Sequence, residues 1–279
     1  MLLQTPGARV RRLLRPGAPS PLAGRTVLVS GASSGIGEET AVAAAARGAT
    51  VLLVARRADE LERVRRRIVD AGAGAGRAAA YVCDLTDLEA VDALVAEVLA
   101  EHGAVDYLVN NAGRSIRRPL DVSYDRFHDV ERTMAINYFA PVRLTLGLLP
   151  AMREQRFGAV VNIVSWGVQL KAPKFSAYLA SKTALDTWSR VAAREAYGDN
   201  VTFTNMRFGL VRTAMVAPTA AYDGLPAMSP ERAAAHVVRA LEDRPVVWNV
   251  PLGVAGEVLG FVAPRVADAV MHRLDRRSR

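Results

Sequence analysis

Tyr178 and Lys182 stand four residues apart in Tyr178-Leu179-Ala180-Ser181-Lys182, and Ser165 lies thirteen positions before the tyrosine, at the end of an apolar run. On a helix, positions i and i+4 share a face, which sets the ammonium beside the phenol. A neighbouring cation favours the phenolate and makes the tyrosine a usable proton donor or acceptor near neutral pH. A serine hydroxyl arriving from a strand end can hydrogen-bond a carbonyl or alcohol undergoing conversion. Together they form the acid–base apparatus that hydride transfer requires. The lysine carries extra weight, because of 36 Lys+Arg only Lys171, Lys174 and Lys182 are lysines. Arginine's broad, permanently charged fork is a poor substitute for a compact ammonium between a phenol and a sugar hydroxyl.

The surrounding pattern supplies elements to hold these groups. Short apolar runs at residues 26–30, 50–54, 78–82, 106–110, 159–164, 201–207 and 246–249 read as buried strands. Amphipathic stretches at 38–47, 58–71, 87–102, 124–153, 176–197 and 230–243 read as the helices between them, the fourth with Pro141 near its middle. Ser229-Pro230-Glu231 carries a helix start: a capping serine, a proline in the first turn and an acid close behind. Alternating β and α units predict an α/β fold, a Rossmann-like doubly wound parallel sheet in three αβα layers, as a single domain. Residues 1–21, rich in Arg, Pro and Gly, read as a flexible or surface-lying extension. The catalytic domain is expected over 22–250, with a substrate lid at 212–228 and a C-terminal amphipathic helix with a basic tail at 251–279.

The turn after the first strand reads Ser30-Gly31-Ala32-Ser33-Ser34-Gly35-Ile36-Gly37. Its glycines allow the backbone to approach a phosphate, and the helix that follows aims N–H groups at the anion. The G-x-x-x-G-x-G spacing differs from the G-x-G-x-x-G fingerprint, but the turn sits between a strand and a helix as the mechanism requires.

Composition excludes several classes. The formal charge is +8, yet the arginines are dispersed and no RNA-binding signature, zinc spacing or basic zipper accompanies them. Nucleic acid is therefore not an expected partner, and no metal site is expected. Cys83 is the sole cysteine, which rules out an internal disulfide and reads as a small buried residue. No secretory h-region and no membrane-length apolar stretch is visible, and a cytoplasmic location is expected.

At these residues the chain resembles the single-domain short-chain dehydrogenases/reductases. The family's T-G-x-x-x-G-x-G motif matches Ser30–Gly37 with Ser in place of Thr, and its N-N-A-G motif matches Asn110-Asn111-Ala112-Gly113. The resemblance covers roughly residues 22–250 and puts the catalytic set on Asn137, Ser165, Tyr178 and Lys182. It implies that Tyr178 exchanges a proton with the substrate oxygen and that Ser165 orients the carbonyl. Lys182 would lower the tyrosine pKa and hold the nicotinamide ribose, while Asn137 would hold a water linking Lys182 to solvent. By itself Asn137 reads equally as a helix-kink residue. Cofactor contacts are expected from Gly31, Ser33, Ser34, Gly35, Ile36 and Gly37, from Asn111, Ala112 and Gly113, and from Tyr178 and Lys182. Asp84-Leu85 resembles the adenine contact, and Val211 and Thr213 lie near the nicotinamide. At the end of the second strand, where NAD-preferring relatives place an acid, the chain has Arg56 and Arg57, which suits the 2′-phosphate of NADP(H).

Two departures stand out: Phe208 replaces the family's usual proline in Phe208-Gly209-Leu210-Val211-Arg212-Thr213, and Trp166 after Ser165 reads either as a pocket wall or as a core aromatic. The lid, with Met215, Val216, Leu225 and Met228, is apolar and suits a lipophilic carbonyl or alcohol substrate. Segments around Arg114 to Arg118 and Ser123 to Asp129 are similar to the reductase domains of actinobacterial fatty acyl-CoA reductases. A keto-group reductase acting on a lipid, polyketide or terpenoid fits equally. The amphipathic stretch 254–274 suits packing on the core or on a neighbouring subunit, the commoner role for such a helix, with a peripheral contact with an anionic membrane as the alternative. A homo-oligomer, dimer or tetramer, is expected. Alternatives are a catalytically silent dinucleotide sensor, and an epimerase or dehydratase using the same Tyr-Lys pair with a larger C-terminal domain.

Overall fold

Seven short runs rich in Val, Leu and Ala pair side by side, and each returns through a helix, so every strand points the same way. The computed structural model describes residues 19–73, 77–217, 222 and 224–277. The strands are β1 (Thr26–Ser30), β2 (Thr50–Ala55), β3 (Ala78–Val82), β4 (Tyr107–Asn110), β5 (Gly158–Ser165), β6 (Val201–Phe208) and β7 (Val247–Asn249), in the order β3-β2-β1-β4-β5-β6-β7. The helices are α1 (Gly35–Ala45), α2 (Ala58–Ile68), α3 (Leu88–His102), α4 (Phe127–Met134), α5 (Ala140–Glu154), a short α6 (Gly167–Leu170), α7 (Ser176–Glu195), α8 (Pro230–Asp243), α9 (Pro251–Val262) and α10 (Pro264–Arg277).

Neighbouring strand residues point to opposite faces, which divides the core in two. Val27 and Val29 join Ala41, Val64 and Leu241 under α1, α2 and α8. Leu28 instead meets Leu94, Leu144 and Leu148 under α3 and α5. This is the expected three-layer Rossmann-like architecture. Strand order reverses between β1 and β4, so the crevice for a ligand opens at their carboxyl ends.

A row of buried amides crosses the sheet below that crevice. Asn110, Asn162 and Asn205 are register partners on β4, β5 and β6. Asn110 Nδ2 donates to Asn162 Oδ1 at 2.9 Å, and Asn162 Nδ2 donates to Asn205 Oδ1 at 3.1 Å. The row ends on α7, where Ser189 Oγ donates to Asn205 Oδ1 at 2.8 Å and Asn205 Nδ2 donates to the Asp186 carbonyl at 3.0 Å. Arg207 adds a buried ion pair to the Asp186 carboxylate at 2.7 Å.

Several expected boundaries are corrected. α1 begins at Gly35 instead of 38, so two of the turn's glycines belong to its first helical turn. α2 stops at Ile68 and widens through a π turn, Val69–Ala73, with Gly72 at φ 90°. The helix expected over 124–153 is two helices joined by a π turn, Ala135–Phe139; the discontinuity centres on Asn137, and Pro141 falls in the first turn of α5. The single C-terminal helix is also two, because Pro264 cannot continue the hydrogen-bond ladder and Ala263 leaves helical geometry at φ −139°, ψ 67°. Most of the N-terminal extension lies outside the described residues, but Ser20 Oγ donates to Glu242 Oε1 at 2.9 Å and Leu22 is fully buried. Cys83 is buried as expected.

The amide row should be a large stability element. Asn162→Leu leaves a donor of Asn110 and an acceptor of Asn205 each short of a buried partner, at about 1–3 kcal/mol per group. Urea unfolding should show a midpoint shift matching a loss of about 3 kcal/mol with an unchanged slope. A loss under about 1 kcal/mol would mean the row is readily rehydrated.

Candidate active site

The site is built at the carboxyl ends of β1, β4, β5 and β6. Ser30 closes β1, and its hydroxyl ties two motifs together: it donates to Val109 O at 3.2 Å and accepts from the N–H groups of Asn111 and Ala112 at 3.0 and 3.1 Å. Asn111 Nδ2 in turn donates to the carbonyls of Ser30 and Gly31 at 3.0 and 3.1 Å. The glycines are required by this closeness. Gly31 has φ 67°, and a Cβ there would lie 2.8 Å from Ala112 Cα. A Cβ on Gly37 would run into the Gly31 carbonyl and Asn111 Nδ2. The turn is braced from outside by Arg63, which pairs with Glu38 at 2.7 Å and reaches Ser33 O at 3.4 Å. Hydrogen bonding to Arg63 holds the Glu38 carboxyl below its ordinary range.

The motif regions open on one cavity of about 960 Å³. Gly31, Ser33, Ser34, Gly35 and Ile36 line one end, with Arg56, Arg57, Asp84 and Leu85 beside them. Arg56 is mostly exposed and lies 3.9 Å from Asp84, while Arg57 Nη2 donates to Ser33 Oγ at 3.4 Å. Asn111, Ala112 and Gly113 form the middle, and Ser165, Tyr178, Lys182, Val211 and Thr213 lead to the far end. Of the expected site residues, Gly37 and Asn137 lie behind the lining. Gly37 supports the turn from within α1.

Asn137 is fully buried in the π turn, a feature frequent at functional sites. Its Oδ1 accepts from the Arg114 N–H at 2.9 Å, and its Nδ2 donates to the Arg114 carbonyl at 2.9 Å and to Ser181 Oγ at 3.0 Å. Ser181 Oγ donates onward to the Tyr178 carbonyl at 2.7 Å. These bonds fasten the loop after β4 to α7. They make Asn137 a brace, as a helix-discontinuity residue can be, and place it near Lys182: a Cβ on Gly113 would lie 2.9 Å from Asn137 Oδ1 and 3.2 Å from Lys182 Nζ.

Tyr178 and Lys182 face the same side of α7. Lys182 is buried and donates from Nζ to Ile163 O at 2.9 Å, and burial pulls its pKa down to about 8. Burial pushes Tyr178 up to about 12; the hydrogen bond with Ser165 opposes that rise and Tyr222 adds to it. The Ser165 hydroxyl also accepts the Gly167 N–H at 3.1 Å, which fixes it at the end of β5.

The rest of the lining is mixed, with Arg114, Ser115, Glu131 and Arg132 beside a group of apolar side chains. Trp166 belongs to that group, which settles its role as a wall, together with Phe175, Leu179, Met215, Val216 and Leu225. Met228, expected in the lid, packs against the core instead. It ties together the two ends of the expected lid: Arg212 N–H donates to Met228 O and Met228 N–H to Leu210 O, each at 2.9 Å, around a Val211–Met228 bridge. Residues 218–221 and 223 of the expected lid lie outside the described residues. Phe208, in place of proline, is buried and stacks on Trp248 at 4.9 Å, a ring that also meets His236.

Sequence reading missed Phe175, whose ring lies 6.3 Å from that of Tyr178, and the cavity-lining Arg114 and Tyr222. The periodicity of their neighbourhoods gives no signal for them, since all three come from connecting segments. Ser30 could have been found from its place where the family has threonine.

Residues 25–223 match the family described as short chain dehydrogenase. An uncharacterized oxidoreductase of Mycobacterium tuberculosis is 46% identical over 90% of this chain and 73% of its own length. A fatty acyl-CoA reductase of the same organism is 46% identical over 91% of this chain and 86% of its own. The crystal structure of a metagenomic short-chain oxidoreductase in complex with NADP superposes with a TM-score of 0.70 at 31% identity, covering 82% of this chain and 97% of that one. The chain belongs to the short-chain dehydrogenase/reductase family. It is an oxidoreductase of that family, and the family binds a nicotinamide dinucleotide.

The glycine contacts generate a direct test. Gly37→Ala drives a methyl into the Gly31 carbonyl and pushes α1 off the turn, an overpacking that costs about 1–3 kcal/mol. Fluorescence titration should show nicotinamide dinucleotide affinity falling by at least about tenfold. Unchanged affinity would show that the turn absorbs the methyl without moving α1.

Proposed function

We propose that this chain is an NADP(H)-dependent reductase of a lipophilic carbonyl: a ketone, an aldehyde or an acyl-derived group. The observation that carries the reading is that Ser165, Tyr178 and Lys182 open on the same cavity as the glycine turn and Arg56, with Trp166, Phe175, Met215 and Leu225 among its other walls. The cradle fits the cofactor: Gly31 and Gly37 hold the space a Cβ would fill, and no acid occupies the end of β2, where Ala55, Arg56 and Arg57 follow one another. When bound, the nicotinamide supplies the hydride that reaches the carbonyl carbon. Tyr178 OH gives its proton to the carbonyl oxygen, and Ser165 Oγ–H holds that oxygen in place. Lys182 would bear the positive charge that works against the upward push of burial on the phenol. Asn137 keeps the Arg114 loop and α7 in register, and a water at its edge would relay protons toward Lys182. Arg56 meets the 2′-phosphate with a charged hydrogen bond, with Arg57 and Ser33 next to it. The fatty acyl-CoA reductase at 46% identity and the NADP-bound neighbour support the substrate class and the cofactor. The expected setting is a cytoplasmic homo-oligomer, dimer or tetramer.

The test is an aldehyde and ketone series of increasing chain length, assayed with NADPH. Each methylene buried among Met215, Val216 and Leu225 contributes about 0.8 kcal/mol, so a few carbons should raise kcat/KM severalfold. Tyr178→Phe should abolish turnover with NADPH binding retained. A flat length dependence would remove the lipophilic substrate. A Tyr178→Phe enzyme that keeps more than about a tenth of wild-type kcat would remove the tyrosine as proton donor.

Arg56→Asp should move the preference from NADPH toward NADH, because the carboxylate repels a 2′-phosphate and accepts from a free 2′-hydroxyl. The kcat/KM ratio for the two cofactors reads this out. A ratio equal to wild type would place the phosphate on Arg57 or Ser33.

A further inference from the structure

The C-terminal helices carry a concentration of exposed apolar side chains. On α9, Leu252, Val258, Phe261 and Val262 face solvent, with Phe261 88% and Val262 73% exposed. On α10, Val266, Val270 and Leu274 recur every four residues and form one exposed stripe. Patches of this kind on a folded chain mark an interaction surface.

The inner sides of both helices are already committed, so neither can roll to hide these residues. Gly253 and Gly256 bring α9 down onto α6: Gly253 abuts Gln169 and the Trp166 side chain, and Gly256 abuts Leu170. Glu257 accepts from Gln169 Nε2 at 2.7 Å and lies 3.5 Å from Arg207. On α10 the less exposed residues are Ala267, Met271 and Asp275, again four apart, and Asp275 pairs with Lys174 at 2.6 Å. Arg265, Arg273 and Arg276 are exposed, whereas one of the helix's two acids, Asp275, is held on the inner face.

We propose that the outer face of α9 and α10 docks on an anionic phospholipid bilayer. The apolar side chains enter the acyl boundary, and the arginines bury their stems while their guanidinium groups reach the headgroup phosphates. Each basic residue near such a surface adds attraction that salt screens. The charge selects this occupant over a second copy of the chain, since two such faces together would oppose their own arginines in a protein already at +8. Because α9 packs on the turn that follows Ser165, the bilayer would lie beside the wall of the substrate cavity. This goes beyond the reductase reading and does not depend on it, because lipid binding is measured without turnover.

The test is co-sedimentation of the full chain with vesicles of phosphatidylcholine alone and of phosphatidylcholine with phosphatidylglycerol. Wild type should pellet with the anionic vesicles, release as salt rises, and stay in solution with phosphatidylcholine alone. Phe261→Asp should lower the partition by at least about tenfold, because it takes an exposed ring out of the acyl boundary and puts a charge there. Arg273→Glu with Arg276→Glu should lower it as well, through headgroup attraction alone. Cofactor titration by fluorescence confirms that each variant is folded. Three results would overturn the proposal: wild type that ignores anionic vesicles, variants that bind them as wild type does, or light scattering in which Phe261→Asp splits a dimer that binds no lipid.

Discussion

The amide row across β4, β5 and β6 is the constraint on which the site depends. A parallel strand slipped by one residue turns every side chain to the opposite face. Hydrophobic packing alone tolerates related arrangements of Val and Leu more readily than a directional polar chain does. Asn110, Asn162 and Asn205 reach one another only in a single register. That register decides where the strands end, and therefore where Asn111 and Ser165 emerge. The row then continues into α7 through Asn205 and Asp186, one helical turn beyond Lys182. The positions of Tyr178 and Lys182 along the sheet are thus set by the same hydrogen bonds that set Ser165.

A second layer of polar contacts joins the loops to this frame. Ser30 gathers the backbone after β4 against the glycine turn, and Asn137 gathers the next residues against α7. Both residues are buried; Ser30 bonds to main-chain groups, and Asn137 to the Arg114 main chain and the Ser181 hydroxyl. Trp166 and Phe175 line the cavity that these bonds frame.

How much of this the sequence discloses depends on whether the information is local. The Tyr178–Lys182 pair, the glycine turn and the alternation of strands and helices are legible because each is a spacing within one element or one β–α unit. Asn137 is legible as a helix breaker, but its partners Arg114 and Ser181 come from segments distant in the chain. The break at Ala263 had a visible cause in Pro264, and the amphipathic pattern running past it hid that cause. Phe175 and Tyr222 face Tyr178 only after folding, so nothing in their own neighbourhoods marks them. Phe208 shows the converse case. A departure that looks disruptive beside its motif is absorbed by stacking on Trp248, which lies forty residues later in the sequence.

Lys182 is the point where burial and charge oppose each other. Its ammonium is buried, and the structure gives it a backbone carbonyl at 2.9 Å as hydrogen-bond acceptor. Burial lowers its pKa from 10.5 to about 8, so the folded chain holds this proton less tightly than the unfolded chain does. Between those two values the unfolded state binds more protons, and stability rises with pH across that window. Below about pH 8 the full cost of the buried charge is present, on the order of 3 kcal/mol. An arginine would carry the same charge with no means of losing it and with more volume to bury. A leucine would remove the cost altogether. The chain keeps lysine at this position while using arginine for almost every other cation. A destabilising, compact and titratable charge set among Asn137, Gly113 and Tyr178 is best understood as the group that the rest of the framework is organised to hold in place.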